Sequence, residues 1–153
     1  MPRKSLIRQY AALPLDLRSG EMEIVLVTSR TSGRWIIPKG KPEPGLPGHE
    51  VARREAYEEA GLIGETAVKS LGTYQGVKGQ GRIMQPARVV VYPFRVDGDL
   101  DDFPEKGQRE IMRASLLEAL MLLSDGGLIS LLLKHEHDLI SYLPPLDKAP
   151  RGQ

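Results

Sequence analysis

Residues 53–62 read RREAYEEAGL, and the placing of their acids and alanines decides how the rest of the chain is read. From about Gly48 to Ala60 the spacing is helical, and Gly61 stands just past the end, where a left-handed residue closes a helix. On a helix turning ~100° per residue, Glu55, Glu58 and Glu59 share one arc of about 100°. Ala52, Ala56 and Ala60 run beside it at i, i+4 and i+8, and side chains this small predict a close approach to a sheet. The acids are therefore expected at the edge of a packed face, where their repulsion grows as the dielectric falls. No lysine lies within the arc. A divalent cation relieves such a stripe, and Mg²⁺ or Mn²⁺ prefers oxygen ligands; a solvated acidic face is the plain alternative. Arg54 sits next to Glu58 on the wheel and four residues after Glu50, placed to orient carboxylates through charge-assisted hydrogen bonds.

Upstream of the helix, residues 38–47 read PKGKPEPGLP. This density of Pro and Gly predicts a rigid loop without regular structure, able to offer backbone carbonyls to a metal and amides to phosphate, with Lys39 and Lys41 adding charge. Before it, residues 5–15 read as a strand broken by Pro14, residues 21–29 (EMEIVLVTS) as a second strand, and residues 34–37 as a short third. After the helix, residues 68–74 and 87–96 read as strands around a flexible basic loop, GVKGQGRIMQP. Residues 97–106 make an acidic connection. Helices are expected over 115–123 and 128–138, parted by Asp125-Gly126-Gly127. Strands first, one helix between and helices last predict an α/β (α+β) chain: a mixed sheet covered by helices. We expect one domain over residues 1–143 and a frayed tail over 144–153.

Charge narrows the function. Against 20 Asp plus Glu stand 21 Lys plus Arg, a net +1, so nothing in the whole-chain charge argues for nucleic acid or a membrane surface; a polyanion must meet a local cluster. No single-strand-binding signature points to nucleic acid as a partner either. Cysteine is absent, which excludes disulfides, thiol nucleophiles and thiolate metal sites. No stretch is apolar and long enough to span a bilayer, and the N-terminus lacks a signal-peptide core, so the cytoplasm is the default expectation. His135-Glu136-His137 would point its histidines in different directions on a helix and is set aside as a metal site. Trp35 reads as a packing residue. The Leu-rich stretches 116–123 and 128–133 read first as core helices, then as a homodimer face.

Gly40 followed by Arg54-Glu55-Ala56-Tyr57-Glu58-Glu59-Ala60-Gly61-Leu62 resembles the Nudix box, G-x5-E-x7-R-E-U-x-E-E-x-G-U with U apolar. The match covers 23 residues, Gly40 to Leu62. One position departs: the first Glu of the pattern falls on Leu46, and Glu43 and Glu50 are the candidates to replace it. The resemblance implies a Nudix-like α/β/α sandwich with a catalytic loop-helix-loop, and a metal-dependent hydrolase that cleaves a phosphoanhydride bond by water attack. It implies Glu55 and Glu59 as ligands of Mg²⁺ or Mn²⁺, joined by a backbone carbonyl of Lys39 or Gly40. Glu58 is the implied general base, itself a further candidate ligand and able to exchange roles with Glu55, with Arg54 supporting them.

The longer run TSRTSGRWIIPKGKPEPG, with Phe103-Pro104-Glu105 and Gln108-Arg109-Glu110, is similar to the diphosphoinositol-polyphosphate and diadenosine-polyphosphate hydrolase branch. That likeness implies Arg8, Ser29, Arg30 and Arg109 as phosphate contacts. Arg113 stands where the branch often has Trp. Arg34, Lys39 and Lys41, and from the basic loop Lys78 and Arg82, are further candidates for binding the same small, highly charged substrate. Many cations with only eight aromatics in the chain favour a polyphosphate over recognition by base stacking. ADP-ribose, a nucleotide sugar or capped RNA is the alternative substrate class, and a weakly active binding module the alternative role.

Overall fold

The computed structural model describes residues 6–80 and 83–146. They form strands β1 (Ile7–Asp16), β2 (Glu23–Thr28), β3 (Trp35–Ile36), β4 (Lys39–Gly40), β5 (Leu62–Thr66), β6 (Gly72–Gln80), β7 (Ile83–Asp99) and β8 (Ile111–Ala114), and helices α1 (Gly48–Ala60), α2 (Leu116–Leu122) and α3 (Gly126–Lys134), with a 3₁₀ turn at Leu139–Tyr142. The strands make one mixed sheet in the order β3-β2-β1-β7-β5, with β4 joining β1, β8 joining β2 and β6 joining β7. β1 and β7 run parallel from Ile7↔Ala87 to Leu15↔Arg95.

Alternation along the strands sorts the core into two layers. Leu13, Leu15, Ile24, Leu26, Val89 and Val91 point to one face, where they meet Ala119, Leu128, Leu132 and Leu139 of the C-terminal helices and turn. Ala12, Val25, Val27, Phe94 and Val96 point to the other and meet Ala52, Ala56 and Ala60 of α1. The small-residue stripe thus does what its spacing implies: Ala52 and Ala56 are fully buried and Ala60 nearly so. Helices on both faces of a mixed sheet are the expected α/β/α layering.

Several local expectations need correction. Pro14 does not break β1, which runs on to Asp16. It falls between the stretch of β1 paired with β4 at Tyr10 and Ala11 and the stretch paired with β2 at Leu15 and Asp16, so its missing N–H costs no ladder bond to either. The Pro-rich loop holds a two-residue strand, because Lys39 and Gly40 lie between prolines and keep their own amides for pairing. β5 and β8 are too short to show a period. The basic loop is mostly ladder: β6 pairs with β7 from Gly72↔Val91 out to Gln80↔Ile83, and β6 starts at Gly72, after an exposed Val68. β7 likewise takes in residues 97–99 of the acidic connection. α3 begins two residues earlier than expected and ends at Lys134. His135 then packs edge-on against Tyr142, with 5.2 Å between ring centroids. Trp35 packs on the core beside α2, as expected. The tail is tied at its root, where the Arg95 guanidinium donates to the carbonyls of Pro144 and Pro145 at 2.7 and 2.6 Å; residues 147–153 lie outside the described residues.

Candidate active site

α1 reaches the sheet through its alanines and so carries its glutamates to the sheet's rim. The C-cap Gly61 adopts φ 67°, ψ 25°, and its amide returns to Ala56 and Tyr57. A β-carbon at Gly61 would lie 2.5 Å from the Phe103 ring, so a side chain there would displace Phe103 as well as strain the turn. With Phe103 seated, the Leu100 amide bonds the Gly61 carbonyl at 2.8 Å and the Glu105 amide bonds the Glu58 carbonyl at 3.0 Å. This fastening carries Arg109 to the acids. Its Nε donates to Glu105 at 2.9 Å and its Nη1 to the Thr28 carbonyl at 2.9 Å, while Nη2 stands 3.8 Å from Glu59 Oε2.

Glu59 is 2% exposed, and its Oε1 has no hydrogen-bond partner. Burial is the main reason its carboxyl is pushed up to about 9; the hydrogen bond it donates to Glu55 adds to this and the charge of Arg109 opposes it. Glu55 is raised as well, chiefly by burial, with the charges of Glu58, Glu105 and Glu43 adding. Two carboxyls this close cannot both ionise without help, so they share a proton. Glu58 is half-buried beside them. Among the described residues no three acidic or histidine side chains converge as a ready metal cage. Glu55 and Glu59 form a pair with one buried lone-pair site unused. Such a site suits a divalent cation, which would replace the shared proton and satisfy the orphaned oxygen.

Gly40 closes the other side. A β-carbon there would lie 2.5 Å from Glu55 Cδ and 2.6 Å from Oε2, so β4 brings bare backbone directly against the carboxyl. Gly40→Ala is expected to push Glu55 off the pair, lower stability by about 1–3 kcal/mol and reduce turnover far more than substrate binding. Thermal melts together with steady-state kinetics check this; an unchanged kcat would mean that Glu55 need not lie where it does.

A cleft of about 650 Å³ opens beside Glu59, lined by five cations: Arg30, Arg34, Lys39, Lys78 and Arg109. Burial pulls the Lys39 ammonium below the ordinary lysine range, an effect that Asp125 and Glu59 oppose. Its Nζ donates to Gln9 at 3.2 Å. Ser29 also lines the cleft, but its hydroxyl is occupied in the turn, accepting the Thr31 and Ser32 amides. Arg30 donates to Gln108 at 3.0 Å. The other expected contacts are not gathered here. Lys41 is exposed outside the cleft lining. Arg8 is exposed too and, one residue before Gln9, alternates to the α1 face. Arg82 lies outside the described residues. Arg113 bridges Asp16 and Asp99 together with Arg18, away from the cleft. Arg54 pairs with Glu43 and Arg53 with Glu50, so Glu43 occupies the Arg54 contact that Leu46 cannot make. Sequence reading missed Gln9 and Asp125 in the lining; an Asp ahead of paired glycines at a helix start was the available signal for the second.

The family model of the NUDIX domain matches residues 7–129. Nudix hydrolase 21, chloroplastic, of Arabidopsis thaliana is 31% identical over 104 residues, covering 67% of this chain and 51% of that protein. Diphosphoinositol polyphosphate phosphohydrolase 3-beta of Homo sapiens is 38% identical over 86 residues, 56% of this chain and 49% of that protein. The chain therefore spans about half the length of the curated relatives it matches. Among solved structures, a C. elegans Ap4A hydrolase binary complex superposes with a TM-score of 0.66 at 18% identity, over 90% of this chain and 100% of that one. The NUDIX domain of Shewanella oneidensis NrtR complexed with ADP ribose reaches 0.65 at 14% identity, over 88% and 90%. At these identities the structural likeness is one of fold. No helix among the described residues is long and apolar enough to cross a membrane.

Proposed function

The chain belongs to the Nudix family, and on that footing we propose that it is a divalent-metal-dependent pyrophosphohydrolase of a small polyphosphate, with diphosphoinositol polyphosphates and diadenosine polyphosphates as the leading substrates. The observation that carries this reading is the Glu55–Glu59 pair, half-buried at Glu55 and buried at Glu59, with the Glu59 Oε1 unpartnered at the edge of a cleft lined by five cations.

Glu55 and Glu59 would hold Mg²⁺ or Mn²⁺, with the Gly40 backbone against Glu55 and Glu58 adjoining. A bound divalent ion supplies neutralisation of phosphate oxygens and makes a water easier to deprotonate. The chain's own groups do the rest. Arg30, Arg34, Lys39 and Lys78 bind the phosphates and hold the anhydride in place. Arg109, engaged with Thr28, Glu105 and Glu59, keeps the acid in position. Glu58, half-buried and free to reach solvent, takes the proton of the attacking water. No aromatic side chain lines the cleft among the described residues, which disfavours recognition by base stacking and supports a phosphate-led mode. The relative named for diphosphoinositol polyphosphates supports the same substrate class.

Chromatographic analysis of the products formed from diadenosine polyphosphates, a diphosphoinositol polyphosphate, ADP-ribose and nucleoside triphosphates, each with Mg²⁺, Mn²⁺ or chelator, tests the proposal. Metal-dependent turnover of the first two is expected. Turnover of ADP-ribose in their place would keep the chemistry and replace the substrate; no turnover at all would leave a binding module.

A further inference from the structure

One carboxylate in the cleft has no part in the chemistry above. Asp125 precedes α3 as its N-cap, a position where aspartate commonly bonds the helix's free amides, yet its side chain makes no capping bond. Among the described residues it has no hydrogen bond or ion pair either. It lines the cleft with Ser124 and Gly126, and Gly76 gives it room: a β-carbon on Gly76 would lie 3.1 Å from Asp125 Oδ2. Its charge is felt by the buried Lys39 and by the Tyr74 hydroxyl.

An uncommitted carboxylate in a cleft built for a polyanion repels the phosphates it faces. It is tolerable where the substrate presents a hydrogen-bond donor at that spot, and a carboxylate accepts such bonds strongly. With no aromatic platform to hold a base, the fitting donor is a hydroxyl of a sugar or polyol. We infer that Asp125 is a specificity-determining residue, accepting a hydrogen bond from a hydroxyl on the organic part of the substrate and discriminating against substrates that carry phosphate at that position. The inference rests on the polyphosphate-hydrolase reading above.

The test compares kcat/KM within matched pairs, using Mg²⁺ throughout. One pair is a diphosphoinositol polyphosphate with a single free ring hydroxyl and its counterpart with every ring hydroxyl phosphorylated. The other is diadenosine tetraphosphate and its 2′,3′-dideoxyribose counterpart. The wild type is expected to favour the hydroxyl-bearing member of at least one pair, and Asp125→Ala to lower that preference about 10–100-fold. Asp125→Asn, which keeps an acceptor oxygen without the charge, should retain part of the preference and speed the fully phosphorylated substrate. Gly76→Ala, which crowds the carboxylate without removing it, should move the preference in the same direction as Asp125→Ala. An unchanged ratio in Asp125→Ala overturns the inference while leaving metal-dependent hydrolysis intact. An equal fall on all four substrates also overturns it and makes Asp125 a support for Lys39. If the wild type hydrolyses neither pair with Mg²⁺ or Mn²⁺, the proposed substrate class fails and the inference fails with it.

Discussion

Glu59→Gln will inactivate the protein and make it more stable. The loss of turnover should be at least about 100-fold, the scale on which removing one preorganised electrostatic partner acts. The gain in stability follows from linkage. In the fold the Glu59 carboxyl is held at about 9 against an ordinary 4.5, so the native state keeps a proton that the unfolded chain releases. Stability from this group is fully present below about pH 4.5 and is lost as the pH rises from there to about 9. Glutamine does not titrate, and its amide can donate to Glu55, so its advantage grows across that window. At pH 7 it amounts to about 1–3 kcal/mol, or roughly 3–10 °C in Tm for a chain of this size. Thermal melts in chelator at pH 5, 7 and 9 should show the two midpoints diverging as pH rises, and saturating Mg²⁺ or Mn²⁺ should rescue the wild type alone. A variant less stable at every pH would mean that the Arg109 contact outweighs the clash with Glu55.

Glu58→Gln should behave differently. Glu58 is half-buried, and it is its backbone carbonyl that holds the Glu105 amide, so the loop carrying Arg109 does not depend on its carboxylate. We expect kcat to fall about 10²–10⁴-fold, the range for a general base, with KM and Tm nearly unchanged. Rapid-quench measurement of product formation with matched melts separates this from a ligand's behaviour. A kcat that survives would move the base to Glu55.

The two variants turn on a site whose helix was legible in the sequence and whose surroundings were not. The alanine and glutamate spacings along residues 52–60 are set by helix geometry alone, so both the packed face and the rim position could be read from the chain. What Glu59 suffers at that rim depends on Gly40, Thr28 and Arg109, residues from two strands and a loop. Arg109 looked like a free phosphate contact because its partners, Glu105 and the Thr28 carbonyl, meet it only in the folded chain. Arg8 and Gln9 differ by one position, and which of them faces the cleft depends on the register of β1 against β4 and β7. β4 was hidden by flanking prolines, since composition reports the average of a segment and pairing needs only two free amides. β5 and β8 were hidden by shortness. Leu46 raised the question of what would hold Arg54, and a turn placing Glu43 beside it answered it through space.

The parallel pairing of β1 with β7 joins residues about 80 positions apart, whereas the antiparallel β6–β7 hairpin pairs residues close in sequence, as near as Gln80↔Ile83. Chain-closure entropy orders these events in time: the hairpin and α1 can form locally, and β1 must wait. β1 carries Gln9 and receives β4, which brings Lys39 and Gly40. A refolding chain should therefore regain most of its strand and helix signal before it regains any turnover, and the lag between the two would time the arrival of the first strand.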